Sequence, residues 1–534
     1  MKSAGDYADE FEAPVGEIGS HRRRSLLRWA PSAVLMIVIL ADCINFAGTD
    51  LWMHIRFGQF VLQNHYLLRH DIYSYSAPGS PWFNHEWLAD TLLALSYNSG
   101  GVIGLKLMKF ICACAIVVLM ADGIAETGAS YAVQMGTLLC AAIAIMLQVQ
   151  FRPQLFDYVC LAAILALLNR HARKRAAPLW LVIPIMTLWA NLHGGFLAGV
   201  AVLAIYTAVS GVKDWFFRRE WRSAAYLSLL TLAAMLATLI NPFGIQLWYV
   251  VLTKFREPIV AMNLNLEFQS LPDHLAASGA FQIAATYFFP TLITLAGLVA
   301  FLIAPTTDDL PLVAIALMMT FGWIYAIRNM AFAVIAWTAP LAHHLDLALS
   351  RSGGAASASE KSELNARAPM FLQLPMLAVS AVLVAGPASL FSARLPAHAQ
   401  FPVGAVAFAQ RNGLRGNILT TYEWGGYVVW HEVPPSKIFF DSFDERYPDG
   451  VQYSYIGFLN GGEAGEAATL AEYPHDFVLI PTASAQDRFM TARKDWSLIY
   501  RDPAASLFAR AKSPAAKVAG VPELLAAAPP SLFP

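Results

Sequence analysis

Charge is the property this chain has least of. Only 14% of its 534 residues are Asp, Glu, Lys or Arg, against 57% hydrophobic residues, and the mean hydropathy is +0.49. A soluble domain carries roughly 25% charged residues, so an ordinary soluble enzyme is excluded. Neither sign is in excess: 36 basic residues face 37 acidic ones for a net charge of −1. A nucleic-acid binder working through a basic surface is therefore excluded as well. Cysteine is scarce too. Cys43, Cys112, Cys114, Cys140 and Cys160 all fall in or beside apolar segments, which predicts buried thiols rather than a disulfide framework or a metal centre. The Cys112-x-Cys114 pair lies within a hydrophobic run and is not read as a redox motif.

Long apolar runs are what the chain has in abundance. Residues 1–28 are a polar tail ending in Arg22, Arg23, Arg24 and Arg28, and an apolar run from 29 to 46 follows. The arginines place the N-terminus in the cytoplasm, and without a clear small-x-small site at its end the run is read as a span rather than a cleaved signal. Further segments long enough for about 30 Å of hydrocarbon fall at 102–121, 131–149, 154–169, 178–192, 195–211, 223–240, 281–304, 310–327, 330–347 and 370–391. The expected fold is thus an α-helical polytopic membrane protein with about 11 transmembrane helices over 29–391. Residues 88–97 are too short to cross and read as an interfacial helix.

Alternating from a cytoplasmic N-terminus puts the basic stretches at 170–175, 213–222 and 351–367 on the cytoplasmic side, as the positive-inside rule requires. The polar outliers all land on the other face. They are the first external loop 48–90, FRPQLFD at 151–157, ANLHGGF at 190–196, the 241–280 loop and Arg328-Asn329. Ionisable groups at membrane depth are expensive and mark function by default, so these pieces are expected to form one site.

Each piece also has a plainer reading. Arg152 and Arg328 can snorkel to headgroups or bind an anionic ligand. The glycines of His193-Gly194-Gly195 suit a tight turn, and Asn241-Pro242 a helix stop. Asp50 is either a helix-end residue at the interface or a catalytic carboxylate. Glu86 and Asp90, spaced i, i+4, share a helix face and would accept protons or a metal, or face water.

An apolar first helix, Asp50 at its outer end, a long first loop ending in PWFNHEWLADTLLALSYNSGGVIGLKLMKF, and many later spans followed by an external domain resemble the GT-C superfamily of integral-membrane glycosyltransferases. Within it, the bacterial members related to protein O-mannosyltransferases are the nearest in pattern. The resemblance implies transfer of a sugar from a polyprenyl-phosphate carrier to an extracytoplasmic acceptor (glycan, lipid or protein), at a multi-pass protein of the bacterial inner membrane. It implies Asp50 as the catalytic acid of the first loop, acting as general base, with His54, His85 and Glu86 beside it. Arg152, Gln154, His193, Arg328 and Asn329 are the candidate substrate-binding residues. A divalent cation is allowed, with Asp50, Glu86 and Asp90 as candidate ligands. The pattern also departs from its relatives: Asp50 is followed by Leu51-Trp52, and His85-Glu86-Trp87 replaces a histidine followed by prolines. A non-catalytic membrane scaffold and a lipid-linked glycan transporter are the alternatives, and the scaffold would leave Asp50, His85, Glu86 and Arg152 apart in space.

Residues 395–512 change character. ILTTY (418–422), YVVW (427–430), KIFFD (437–441), FVLIP (477–481), SLIYRD (497–502) and SLFAR (506–510) are short β-rich runs that predict an extracytoplasmic α/β domain. A turn at Tyr422–Tyr427 and the acidic run Asp441–Arg446 are its expected ligand-facing elements, and the Ala/Pro-rich tail 513–534 is expected to be flexible.

Overall fold

The computed structural model describes residues 46–145, 148–215, 221–254, 266–352, 395–397, 400–432, 435–460, 462–518 and 532–533. The spans expected at 29–46 and 370–391 and the N-terminal tail lie outside them. Within them, each of the other nine expected spans is an apolar helix, five long enough to cross a membrane and four shorter.

After Asp50 the first loop forms α1 (Leu51–Asn64). It runs alongside the start of α2 (Trp87–Ala125) in the same direction, with His54 at Asp90 and Gln59 at Asn98, at a distance only glycine permits, because a Cβ on Gly58 would lie 2.0 Å from the Asp90 carbonyl oxygen. The α2 helix breaks at Gly101 (φ 57°, ψ −141°), a left-handed position that glycine adopts cheaply. The break falls between residues 88–97 and 102–121, which the sequence reading separates. The bundle continues through α3 (Tyr131–Ile145), α4 (Gln154–Ala172), α5 (Val182–Leu192), α6 (Phe196–Lys213) and α7 (Trp221–Ala237). Short helices α8 (Ile245–Lys254) and α9 (Leu271–Ala277) follow, then α10 (Ala280–Ile303), α11 (Leu310–Tyr325) and α12 (Met330–Ser352). Leu229 on α7 and Leu302 on α10 are 67% and 68% exposed. Water would penalise such rims, whereas hydrocarbon tails match them.

Beyond the bundle the chain forms β1 (Leu395–Pro396), α13 (Val403–Arg411), β2 (Asn417–Thr420), α14 (Tyr422–Glu432), β3 (Lys437–Ile438), α15 (Asp449–Asn460), α16 (Gly462–Glu472), β4 (Phe477–Pro481), α17 (Ala485–Ala492), β5 (Trp496–Arg501), β6 (Ala505–Arg510) and β7 (Leu532–Phe533). Five strands make one sheet in the order β3-β2-β4-β6-β5. Strand β2 runs parallel to β3 and β4, while β6 runs antiparallel to β4 and β5. The α/β character is as expected, with one correction: YVVW and the Tyr422–Tyr427 stretch are not strand and turn but helix α14. Local β propensity loses to packing here. Gly425 abuts Asp441 and Gly426 abuts Met53 of α1, each with under 3.0 Å for an added Cβ, so the glycines let a helix wedge between sheet and loop.

The first loop and this domain are one unit. Ser74 bridges β3 at Ile438, with backbone bonds Tyr75 N–H to Ile438 O and Ile438 N–H to Tyr73 O, both 3.1 Å. Arg446, 1% exposed, pairs with Asp71 of the loop at 3.1 Å and with Asp441 of the domain. Its guanidinium lies within 5.8 Å of the ring centroids of Phe57, Tyr73, Trp82 and Tyr447. Burial alone would discharge it, but Asp441, Tyr447 and Asp71 outweigh burial and hold its pKa above that of a free arginine.

Candidate active site

Five separated segments converge on one cavity of about 440 Å³. The start of α1 contributes Asp50 and His54, and the residues before α2 contribute His85 and Glu86. The turn into α4 brings Arg152, Gln154 and Asp157, the α5–α6 link His193, and the α11–α12 link Arg328 and Asn329. The soluble domain closes the outer wall with Tyr422, Ser442, Phe443, Asp444 and Glu445. These follow the carboxyl ends of parallel strands β2 and β3, the edge where open α/β sheets place ligands.

Three charge groups divide the polar part. In the first, Arg152 sits between Asp50 (Nη2 to Oδ2, 3.3 Å) and Glu267 (Nη1 to Oε1, 2.5 Å), while Thr49 Oγ1 donates to Asp50 Oδ1 at 3.1 Å. Burial works against the Arg152 charge, but Glu267 and Asp50 outweigh it and raise its pKa. In the second, His54 Nδ1 meets Asp90 at 2.7 Å, and the Asn84 amide donates to the other Asp90 oxygen at 2.7 Å. Burial lowers the His54 pKa, yet Asp90, Glu86 and Asp50 leave it raised overall. In the third, Asp157, His193, Glu86 and His85 form a chain. His193 Nδ1 lies 2.6 Å from Asp157, His193 Nε2 lies 3.1 Å from Glu86 Oε1, and His85 Nε2 lies 3.7 Å from the same oxygen. Glu445 approaches the far side of His85 at 3.8 Å. Burial opposes the charges of this chain, but Asp157 and Glu86 raise His193 to about 9, and His85 leads the histidines in holding Glu86 well below the usual carboxylate range.

Two sets of side chains have spacing that suits a metal ion: His85, Glu86 and His193, and His54, Glu86 and Asp90. Asp50 belongs to neither, since Arg152 holds it. Asp90 does not line the cavity and is engaged by His54 and Asn84 behind it. The first set fits zinc better. A tetrahedron of Zn–N and Zn–O bonds near 2.0–2.1 Å has edges of about 3.4 Å, and its measured separations of 3.1 and 3.7 Å bracket that value.

The remainder of the wall is apolar. Leu197, Ala198 and Ala201 of α6 face Met318, Met319 and Phe321 of α11 across it, with Arg328 at the boundary. Arg328 packs over the Phe268 ring at 4.5 Å, and the Asn329 amide donates to the Gly322 carbonyl at 3.0 Å, sealing the α11–α12 turn. Gln154 Oε1 is buried without a hydrogen-bond partner among the described residues.

Asp50, His54, His85, Glu86, Arg152, Gln154, His193, Arg328 and Asn329, chosen from sequence, all line this cavity. Asp157 and Glu267 are additions. Asp157 carries a signal, an acidic residue in the first turn of an apolar helix, whereas Glu267 sits in a single 3-10 turn, Leu266–Phe268, with none. His193-Gly194-Gly195 is the turn the sequence suggests, but the reason for glycine at 195 is a different one. Its backbone is ordinary (φ −61°), and glycine is required because a Cβ would lie 2.5 Å from the Asp157 carboxyl.

No family model matches the sequence, and no curated protein does. Solved structures do. An oligosaccharyltransferase of Archaeoglobus fulgidus, AglB, is similar over 86% of this chain and 70% of its own, at 11% identity and a TM-score of 0.52, in a complex with an inhibitory peptide and a dolichol-phosphate. The same oligosaccharyltransferase with zinc and sulfate gives 0.53 at 12% identity, covering 85% and 68% of the two chains. Tethered to an acceptor peptide containing the NVT sequon it gives 0.54 at 12% identity, covering 85% and 69%. At such identities the likeness is one of fold. This chain therefore shares its fold with that oligosaccharyltransferase.

Proposed function

We propose that the protein is a glycosyltransferase that moves a sugar from a polyprenyl-phosphate carrier to an acceptor at the extracytoplasmic face of the bacterial inner membrane, its N-terminus cytoplasmic and its C-terminal domain outside. The observation that carries the reading is the two-part cavity. Its apolar half between α6 and α11 suits an isoprenoid tail, its ionisable half suits a sugar and its acceptor, and Arg152 and Arg328 lie where the phosphate between them would sit. The fold shared with an oligosaccharyltransferase crystallised with dolichol-phosphate supports the same assignment.

In the proposed reaction Asp50 accepts the acceptor hydroxyl proton as the oxygen attacks the anomeric carbon. The anomeric C–O bond breaks and the polyprenyl phosphate leaves with the bonding pair, its charge met by Arg152 and Arg328. One direct displacement inverts the anomeric centre. His85, Glu86 and His193 would hold a divalent cation, which would supply positive charge near the reacting groups. Gln154 and Asn329 complete the wall around the sugar. The scaffold alternative loses its main support, because it needs Asp50, His85, Glu86 and Arg152 to be scattered, and they line one cavity.

The test is transfer from a panel of radiolabelled polyprenyl-phosphate sugars in membranes carrying the natural chain or Asp50→Asn. Transfer that disappears in the variant supports enzyme and base together. Transfer that survives removes Asp50 as base, and no transfer from any donor favours the scaffold or transporter.

A further inference from the structure

The cation reading leaves one buried carboxylate without a task. Asp157 stands on the first turn of α4, is 1% exposed, and has both oxygens engaged. Trp189 Nε1 donates to Oδ1 at 2.6 Å, and His193 Nδ1 lies 2.6 Å from Oδ2. Gly195 leaves room for it, since any side chain there would collide with the carboxyl group at 2.5 Å. A tryptophan, a histidine and a glycine on α5 and at the start of α6 are thus arranged around one carboxylate.

We infer that Asp157 is a positioning residue for a divalent-cation site formed by His85, Glu86 and His193, setting the tautomer and aim of His193; the inference rests on the cation reading given above. A carboxylate can only accept a hydrogen bond. The Gly195 N–H also approaches Nδ1, at 3.1 Å, but the carboxylate at 2.6 Å is the closer partner. The proton of the neutral imidazole is therefore held on Nδ1, and the lone pair sits on Nε2, the atom 3.1 Å from Glu86 Oε1. A histidine that ligates a metal through one nitrogen while donating the other N–H to a carboxylate is oriented and made a better donor by it. Trp189 completes the device by keeping Asp157 from swinging toward the cation. In Asp157→Asn only one oxygen remains. If it stays with Trp189, the amide group donates to Nδ1 and forces the imidazole proton onto Nε2, where it blocks ligation.

Calorimetric titration of zinc into the purified full-length protein in detergent tests this without any substrate. The natural chain should bind one zinc ion, Glu86→Gln should abolish binding, and Asp157→Asn should weaken it about 10–100-fold at an unchanged thermal midpoint. Binding that is lost in Glu86→Gln but unchanged in Asp157→Asn overturns the role of Asp157 and leaves the site standing. Absence of zinc binding by the natural chain overturns both. Should Asp157→Asn fail to fold, Trp189→Phe decides: weaker binding supports the inference, and unaltered binding overturns it.

Discussion

Two ends of the same helical bundle carry buried charge, and they use it differently. At the end opposite the cavity, Arg173 donates to both oxygens of Asp309 at 3.0 and 2.9 Å. His343 and His344 stand 3.8 and 3.6 Å from the same carboxylate, and His344 also meets the Ala304 carbonyl. Lys213 bonds Thr307 O and Asp308, and Arg351 bonds Ile303 O. These contacts tie the ends of α4, α6 and α12 to the loop between α10 and α11, and none of these residues lines the cavity. At the cavity end the contacts are as short, with Arg152 2.5 Å from Glu267 and His193 2.6 Å from Asp157, but they stand around open volume. Charges paired away from any cavity are a clasp, while charges paired around one are poised for a ligand.

The comparison can be broken by experiment. The largest effect is expected at the cavity: Asp50→Asn should lower sugar transfer about 10²–10⁴-fold while the thermal midpoint stays within a degree or two of the natural chain. A fall in stability matching the fall in transfer would make the cavity end another clasp. Next comes Asp309→Asn at the other end. It strands the Arg173 charge and should destabilise the protein by about 3–5 kcal/mol, read by denaturant titration, with transfer per folded molecule unaltered. Arg152→Lys should be milder. It keeps the charge and loses the fork, so the donor KM should rise about tenfold with little change in kcat.

A pH-dependent effect is expected away from both ends. Glu432 on α14 is 4% exposed, its Oε1 lacks a hydrogen-bond partner among the described residues, and its surroundings include Val406, Leu414, Val428 and Phe477. Burial pushes its pKa up to about 7. A carboxyl group that is harder to ionise when folded contributes stability that is fully present below its unfolded value, near 4.5, and is lost as pH rises through about 7. Glu432→Gln should remove that slope and raise stability at pH 8 by about 2 kcal/mol, with the natural chain as control across pH 4.5–8. An unchanged slope would assign the pH response to the ionisable groups at the bundle ends.

Much of the fold was legible in the sequence because its cause is local. Apolar length alone places nine apolar helices of the bundle, five of them long enough to cross a membrane, and the break at Gly101 falls between two segments the sequence reading separates. The strand FVLIP is found at the expected residues, since a short β-branched run bounded by polar residues has few other uses. Residues 427–430 defeated the same reasoning. Tyr, Val, Val and Trp favour a strand in isolation, but Gly425 and Gly426 give α14 a close fit against Asp441 and Met53 that no local pattern encodes. Glu267 was equally invisible, being one acid in a single 3-10 turn until the fold sets it 2.5 Å from Arg152.

What the sequence by itself determined is that this chain is a multi-pass membrane protein and which of its polar outliers belong together around one cavity, because each ionisable group withdrawn from water needs compensation that composition and topology already reveal. What only the tertiary structure decided is the partnership: Arg152 between Asp50 and Glu267, His193 between Asp157 and Glu86, and Arg446 joining the first loop to a domain some 360 residues later. Such pairings depend on distances of a few ångströms between segments far apart in the chain, and those distances come from packing, which no single stretch of sequence contains.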